Sequence, residues 1–264
     1  MTDLQNKLIA PHEALSLIAS ARQIALGGWS MSRKPCGMVR HIIAAGLRIP
    51  EVVILTAGVE TDMLLAAGVV DRVRTFYFGL EAFGMGPGQR CGADMIEETE
   101  SSLIFGLQAA AQGQPFHAVA LHHCRALLKV RTDIQTITCP YEGDEFVALP
   151  PIAPDLAIIH AWRCDRRGNA EFGGTLAADR LLAAAARKTI VTCEEVVDDL
   201  AATGGRADLI APQTSAVVHL PNGAWPTGCA PLYRPDWAGL RDYAQLDPGA
   251  VPTWLERHPL STKG

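Results

Sequence analysis

The sequence predicts an α/β fold with an open, mostly parallel sheet flanked by helices, and two observations lead to this prediction. Short apolar segments alternate along the chain with helical patterns, which is the order that βαβ units produce. Several apolar segments are nearly continuous, such as residues 156–160, and such runs are typical of strands buried on both faces of a parallel sheet. We predict a single domain, residues 1–264, with a tail from about residue 234.

Local patterns predict each element in turn. Runs of aliphatic and β-branched residues indicate strands, and apolar residues at helical spacing indicate helices. Gly46, Gly68 and Gly113 follow three of the helical segments, as expected for helix C termini. The predicted strands are 24–26, 52–55, 73–78, 118–121, 146–149, 156–160, 189–192 and 216–218. The predicted helices are 36–45, 62–67, 95–112 and 176–186.

Composition limits the class of protein and its partners. Hydrophobic residues make up 48% of the chain and charged residues only 19%, which allows a sizeable core. A net charge of −5 argues against a nucleic-acid partner. No run of 18 apolar residues predicts a membrane span, and the N-terminus lacks the pattern of a signal peptide. The seven cysteines are dispersed without a C-x-x-C pair, which favours reduced thiols and a cytoplasmic location.

Metal and cofactor motifs give no positive signal. The cluster with metal-ligand chemistry is His122-His123-Cys124, but adjacent residues rarely converge on one ion, so we predict no metal site. The chain has neither a Walker P-loop nor a G-x-G-x-x-G motif, and we predict no tightly bound cofactor. The G-x-S-x-G elbow of serine hydrolases is also missing.

The turn between the strand at 24–26 and the helix at 36–45 is the strongest candidate for ligand binding. Its two glycines allow a tight turn and a close approach to the backbone. Two consecutive cations lie where the free N–H groups of the next helix point, which favours an anion. The alternative is an ordinary turn with solvated charges. The candidate binding residues are Gly27, Gly28, Trp29, Ser30, Arg33 and Lys34.

Glu100 is the candidate catalytic base. It lies at helical spacing with Ile96, Leu103 and Leu107, so a helix over 95–112 would place its carboxylate in an apolar stripe. Such surroundings raise the pKa of a glutamate and make it a general base near neutral pH. In the alternative, Thr99 caps the helix and Glu100 lies in its exposed first turn.

Other acidic and basic residues have two interpretations each. Glu97 either belongs to the same site as Glu100 or is solvated. His160 ends an apolar strand, at the sheet edge where open parallel sheets bind ligands, and is either a ligand contact or a hydrogen-bonded structural group. Glu194 and Glu195 follow another strand and form an acid–base pair or begin a helix whose dipole favours acids.

Further motifs lie in order along the chain. After the turn within 24–35 come the segments 107–116, 154–161, 165–169, 189–195 and 222–229. The ordered set resembles the alpha subunits of class I coenzyme A transferases, especially the alpha subunit of glutaconate CoA-transferase. This resemblance implies an open α/β subunit that pairs with a homologous beta subunit, usually as an α2β2 heterotetramer, around an acyl-CoA site. Coenzyme A is then a substrate, and the nucleophilic glutamate belongs to the beta subunit.

The resemblance extends to two branches with other chemistry, decarboxylases of glutaconyl-type CoA thioesters and hydrolases that open a steroid ring. Glu97-x-x-Glu100 and Gly28-Trp29 resemble the hydrolase branch, in which the residue matching Glu100 acts on water or substrate. The segments 160–169 and 226–229 resemble the transferases and decarboxylases. The segment 122–125 departs from all three, because a Gly/Ser-rich loop is expected there.

We therefore predict an alpha subunit of a CoA-transferase-family enzyme that moves CoA between carboxylic acids. The alternatives are a ring-opening hydrolase subunit of steroid catabolism, with Glu100 as general base, and a decarboxylase subunit. A rival from another class is a non-catalytic α/β domain that senses a ligand.

Overall fold

The computed structural model describes residues 6–259, and its strands lie mainly in one large sheet. In chain order the strands are β1 (Leu8–Ile9), β2 (Gln23–Leu26), β3 (Ile49–Val53), β4 (Thr56–Ala57), β5 (Val70–Thr75), β6 (Tyr77–Phe78), β7 (Asp94–Glu97), β8 (His117–Ala120), β9 (Gln135–Thr138), β10 (Glu145–Leu149), β11 (Leu156–Asp165), β12 (Ala170–Glu171), β13 (Lys188–Val197) and β14 (Ala216–His219).

The α-helices alternate with the strands along much of the chain. They are α1 (Pro11–Ala19), α2 (Cys36–Ala44), α3 (Val59–Ala66), α4 (Pro87–Arg90), α5 (Glu100–Ala111), α6 (Leu121–Cys124), α7 (Asp179–Ala185), α8 (Trp237–Ala244) and α9 (Val251–Arg257). No helix in the described part of the chain is both long and apolar enough to cross a membrane.

The large sheet has the strand order β1-β14-β13-β11-β2-β3-β5-β7, and β12 pairs with β11. All of these pairings are parallel except the short β11–β12 pair. The predicted open, mostly parallel sheet is therefore confirmed.

Helices cover both faces of the sheet because its strands carry apolar residues on both sides. On β2, Ile24 and Leu26 pack into one core cluster and Ala25 packs into another, as expected from the alternation of side chains along a strand. The first cluster includes residues from α1, α2, α3, α8 and α9, and the second includes residues from α5 and α7. The strand ends between these layers are the places where loops can form a site.

The segment after residue 234 packs on the first of these clusters. Tyr243 of α8 is fully buried, and Trp254 of α9 is nearly so. The Tyr243 hydroxyl donates a hydrogen bond of 2.7 Å to Asp62 of α3. Burial raises the pKa of Asp62 and of Tyr243. The C-terminal helices therefore contribute to the main core.

A small antiparallel sheet, β8-β10-β9, has a separate apolar cluster that includes Val119, Cys124 and Val147. Cys124 is buried, whereas His122 and His123 of the same short helix are exposed. Of the sequence cluster His122-His123-Cys124, only the cysteine therefore packs into this apolar cluster.

Candidate active site at the carboxyl edge of the sheet

Four neighbouring strands bring the candidate site residues to one edge. Strands β2, β3, β5 and β7 are adjacent and parallel, so the loops that follow them meet at the same end. In open parallel sheets, ligands bind outside the carboxyl ends of the strands. The turn after β2 and the β7–α5 junction, which contain most of the predicted site residues, both lie at this edge.

The two glycines of the turn after β2 are required by close contacts within the chain. A Cβ on Gly28 would lie 2.6 Å from the carbonyl oxygen of Arg33, and Gly28 has φ +83°. A Cβ on Gly27 would lie 2.6 Å from Oδ1 of Asp179. That oxygen accepts a 2.8 Å hydrogen bond from the Gly28 N–H. The backbone at Gly27 and Gly28 is therefore approached closely, as predicted, but the approaching group is the Asp179 carboxylate of the same chain.

The sequence leaves Arg33 and Lys34 either facing an anionic ligand or solvated, but both side chains are fully buried. Arg33 forms an ion pair of 2.6 Å with Asp179. Lys34 lies 3.3 Å from Glu60 and donates a hydrogen bond to the Thr56 carbonyl. A buried charge requires a partner, and these cations already have theirs. They hold the turn in place and are not free to bind a ligand.

Trp29 and Ser30, by contrast, line a cavity of about 250 Å³ at the sheet edge. The rings of Trp29 and Phe76 lie 6.2 Å apart at an angle of 45°. The Ser30 N–H donates a 3.1 Å hydrogen bond to Oγ1 of Thr56, which joins the loops that follow β2 and β3. The other lining residues are Tyr77 and Glu81. The turn thus contributes an aromatic wall and a hydroxyl group to a surface cavity.

Tyr77 and Glu81 interact at the mouth of this cavity. Burial raises the pKa of the Tyr77 phenol, and the negative charge of Glu81 raises it further. Glu81 itself is exposed. Neither residue was predicted as part of the site. The signal was that Tyr77 lies near the end of the predicted strand at 73–78 and that Glu81 follows this strand.

The β7–α5 junction differs from its prediction. Ile96 and Glu97 belong to strand β7, and helix α5 begins only at Glu100, so the apolar stripe proposed for Glu100 does not form. Thr99 caps the helix by accepting a 3.0 Å hydrogen bond from the Ser102 N–H. Glu97 and Glu100 are both exposed. The alternative in which Glu100 lies in the first turn is the correct one, and its catalytic role stays a prediction.

The glutamate between them, Glu98, is the buried acid of this junction. Its Oε1 lies 2.7 Å from Arg74 and 2.7 Å from Arg131. Its Oε2 accepts a hydrogen bond from Ser102. Glu98 therefore joins β5, α5 and the segment before β9. Sequence reasoning missed it because its partners are distant along the chain.

His160 is fully buried and hydrogen-bonded at both ring nitrogens. Nδ1 lies 2.8 Å from Oγ1 of Thr192, and Nε2 lies 2.8 Å from Oε1 of Glu194. The Tyr233 hydroxyl also donates to Glu194. Burial opposes ionisation of Glu194, but the hydrogen bond and charge of His160 outweigh it and lower the pKa of Glu194. His160 is thus the hydrogen-bonded structural group of the two interpretations.

Glu194 and Glu195 do not begin a helix, because both lie within strand β13. Successive side chains of a strand point to opposite faces. Glu194 is accordingly buried and Glu195 exposed, so the two carboxyl groups do not form an acid–base pair.

One group of side chains has the chemistry to hold a metal ion. Within residues 6–259, ligand atoms of His160, Glu194 and Cys229 lie within 4.8 Å of one another. An ion there would displace the hydrogen bond between His160 and Glu194. Burial and the nearby Glu194 charge raise the pKa of the Cys229 thiol to about 12, so binding would also have to displace its proton.

An open parallel sheet with a cavity beyond its strand ends is the arrangement in which α/β proteins bind ligands. The family model described as coenzyme A transferase matches residues 9–210. The chain belongs to the coenzyme A transferase family.

Two characterised relatives have different chemistry. The A subunit of 3-oxoadipate CoA-transferase from Pseudomonas knackmussii is 30% identical over 242 residues, which cover 87% of this chain and 85% of that protein. The cholesterol ring-cleaving hydrolase IpdA subunit of Rhodococcus jostii is 27% identical over 266 residues, which cover 93% of this chain and 88% of that subunit. The predicted resemblance to both branches is confirmed.

Solved structures have the same fold. The decarboxylase AibA/AibB superposes with a TM-score of 0.85 at 29% identity, covering 95% of this chain and 97% of that one. Glutaconate CoA-transferase of Acidaminococcus fermentans superposes with a TM-score of 0.82 at 28% identity, and the match covers 93% of this chain and 85% of that one. The chain is an alpha subunit of this family.

Proposed function

We propose that the substrate of this subunit is an acyl-CoA thioester, that a homologous beta subunit completes the enzyme, and that the reaction is CoA transfer between carboxylic acids. The observation that carries the proposal is the cavity lined by Trp29, Ser30 and Phe76. It lies at the carboxyl edge of the sheet, in the turn that resembles the start of CoA-transferase alpha subunits, although the Gly28-Trp29 pair within it resembles the hydrolase branch. Two transferases, of 3-oxoadipate and of glutaconate, are among the similar proteins.

In the proposed reaction the beta subunit supplies a nucleophilic glutamate. Its carboxylate attacks the thioester carbonyl, the C–S bond breaks, and the acyl group forms an anhydride with the glutamate while CoA leaves as a thiolate. The thiolate then attacks the glutamyl carbonyl of the anhydride, which releases the first acid and leaves a glutamyl-CoA thioester for the acceptor acid. This subunit binds the acyl part of the substrate in its aromatic cavity.

A second candidate function is hydrolysis of a ring-bearing CoA thioester. The similarity to the cholesterol ring-cleaving hydrolase subunit supports it. Glu100 also supports it, because its exposed carboxylate lies at the same sheet edge as the cavity. No ion pair of Glu100 occurs within residues 6–259, since Glu98 takes the neighbouring arginines.

One experiment separates the candidates. The chain is co-expressed with the homologous beta subunit of its source organism and the complex is isolated. A transferase converts one acyl-CoA and a free acid into a second acyl-CoA without releasing a thiol, and borohydride or hydroxylamine traps the glutamyl thioester on the partner. Ring-opening hydrolysis adds water to the acyl group, which mass spectrometry detects, and a decarboxylase releases CO₂. Ligand binding without any turnover would contradict the proposal.

Assembly and location are parts of the same proposal. If the enzyme is an α2β2 heterotetramer, native mass spectrometry should show a single complex of four chains. A stable homo-oligomer that does not bind the beta subunit would contradict this assembly. A cytoplasmic location is supported by the seven cysteines, none of which forms a disulfide within residues 6–259.

A further inference from the structure

The cavity at the sheet edge lacks a basic side chain. Its lining residues within the described part of the chain are Trp29, Ser30, Thr56, Phe76, Tyr77 and Glu81. The nearest cations of the turn, Arg33 and Lys34, are buried and already paired. The lining charge that remains is the carboxylate of Glu81. This cavity is therefore unsuited to the phosphates of CoA and to any other anionic group.

The backbone holds Glu81 in a conformation that glutamate rarely adopts. Its φ is +53°, in the left-handed region, which is costly for residues with a Cβ. The short helix at 81–83 fixes this geometry, and the Leu80 N–H closes the turn with a 2.7 Å hydrogen bond to the Gly84 carbonyl. Backbone strain of this kind persists where the surrounding structure requires it and is concentrated at functional sites.

The size and walls of the cavity fit part of a substrate. A volume of about 250 Å³ is below the roughly 300–1,000 Å³ of pockets that enclose drug-sized ligands. Trp29 and Phe76 supply apolar aromatic surface, while the hydroxyl groups of Ser30, Thr56 and Tyr77 supply hydrogen-bonding atoms. A short acyl group with an uncharged, apolar end matches these walls.

We propose that Glu81 determines substrate specificity by disfavouring acyl groups that end in a carboxylate, so that the subunit takes CoA thioesters of monocarboxylic acids. This inference rests on the proposed function and deepens it. An acyl chain ending in a carboxylate would bring a second negative charge beside Glu81 with no cation from this subunit to compensate. Two like charges that lie close together repel each other.

The test compares two CoA thioesters with the same number of acyl carbons. Pentanoyl-CoA ends in a methyl group and glutaryl-CoA ends in a carboxylate. The isolated α/β complex is assayed with each thioester and with acetate as the acceptor acid, and kcat and KM are measured separately. Wild type should prefer pentanoyl-CoA, and Glu81→Gln should narrow the ratio of the two kcat/KM values roughly tenfold, the effect of removing one like charge. The change should appear in the KM for glutaryl-CoA, because Glu81 contacts the acyl end rather than the reacting carbonyl.

A matched control and a binding measurement keep the outcomes distinct. Glu142→Gln removes the same charge from an exposed position in the β9–β10 connection and should leave the ratio unchanged. Thermal melting checks that Glu81→Gln folds as wild type does. If the complex turns over neither thioester, the proposed function fails, and calorimetric binding of both thioesters still tests Glu81. The inference would be overturned if wild type and Glu81→Gln showed the same preference between pentanoyl-CoA and glutaryl-CoA, measured by KM or by binding affinity.

Discussion

The carboxylate of Asp179 holds both ends of the turn that begins at Gly27. One of its oxygens accepts a 2.8 Å hydrogen bond from the Gly28 N–H, and the other lies 2.6 Å from the Arg33 guanidinium. Arg33 and Asp179 are at most 1% exposed, although 146 residues separate them along the chain. The first residue of α7 therefore fixes the loop that lines the candidate active site.

The first prediction concerns this ion pair. Asp179→Asn removes the charge and leaves the Arg33 guanidinium buried without a counterion, which should lower the free energy of unfolding by about 3–5 kcal/mol. Urea denaturation measures it. Asp71→Asn is the control, because its pair with Arg48 is exposed, at 47% and 69%, and should cost less than about 1 kcal/mol. Similar losses for the two variants would contradict a structural role for the buried pair.

The second prediction separates backbone strain from close contact. Gly28 and Gly46 both have positive φ, but a Cβ on Gly46 meets no atom within 4 Å, whereas one on Gly28 lies 2.6 Å from a backbone oxygen. Gly46→Ala should lower the free energy of unfolding by about 1–2 kcal/mol, because alanine is strained in the left-handed conformation. Gly28→Ala should cost clearly more and should also reduce activity of the complex. Chemical denaturation of both variants tests this, and equal costs would mean that the turn relaxes freely.

The sequence predicted the buried strands well, but it missed the edge strand β1 and assigned the edge strand β7 to a helix. Strands such as β11 are apolar along most of their length, so the continuous run revealed them. Strand β7 lies at the end of the sheet with a single neighbour, and its residues are exposed or half-buried. It therefore lacks an apolar run. The spacing of Ile96 with Leu103 then matched a helical period by coincidence, and the true helix start was the Thr99 cap.

The site was predictable as a position but not as a set of contacts. The turn after β2 could be identified from Gly27 and Gly28, because two glycines after a strand allow a tight turn and a close approach to the backbone. The sequence could not show that Arg33 and Lys34 are already paired. Their partners, Asp179 and Glu60, come close to them only when the chain folds. Pairing of this kind is a property of tertiary structure.

The third prediction follows from the lowered pKa of Glu194. A carboxyl group whose pKa is lower in the folded state stabilises the fold above its unfolded pKa and loses that contribution as pH falls through the folded pKa. Thermal melting from pH 7 to pH 3 should therefore show a loss of stability below the ordinary value of 4.5. Glu194→Gln should flatten this part of the curve, and Glu195→Gln, an exposed neighbour, should not. Identical curves for the three proteins would exclude the contribution.

The fourth prediction distinguishes the glutamates of the β7–α5 junction by stability. Glu98→Gln removes the carboxylate that Arg74 and Arg131 share. Arg74 keeps its ion pair with Glu51, and Arg131 keeps its ion pair with Asp133. The free energy of unfolding should therefore fall by only about 1–3 kcal/mol. Glu97→Gln, at the exposed last position of β7, should keep the free energy of unfolding within about 0.5 kcal/mol of wild type. Denaturation curves of the two variants measure the difference, and a larger cost at Glu97 would contradict the assignment.

The fifth prediction concerns Glu100 and separates transfer from hydrolysis. Glu100 is exposed at the first position of α5, and Thr99 rather than Glu100 caps the helix, so Glu100→Gln should leave folding and assembly with the beta subunit intact. If the complex hydrolyses a ring-bearing CoA thioester with Glu100 as general base, the variant should lose at least about a hundredfold in kcat, the usual contribution of such a base. If the complex transfers CoA through a partner glutamate, transfer should persist and the trapped glutamyl adduct should be unchanged. Full hydrolytic activity in Glu100→Gln would remove this residue from the mechanism, because hydrolysis would then proceed without its carboxylate.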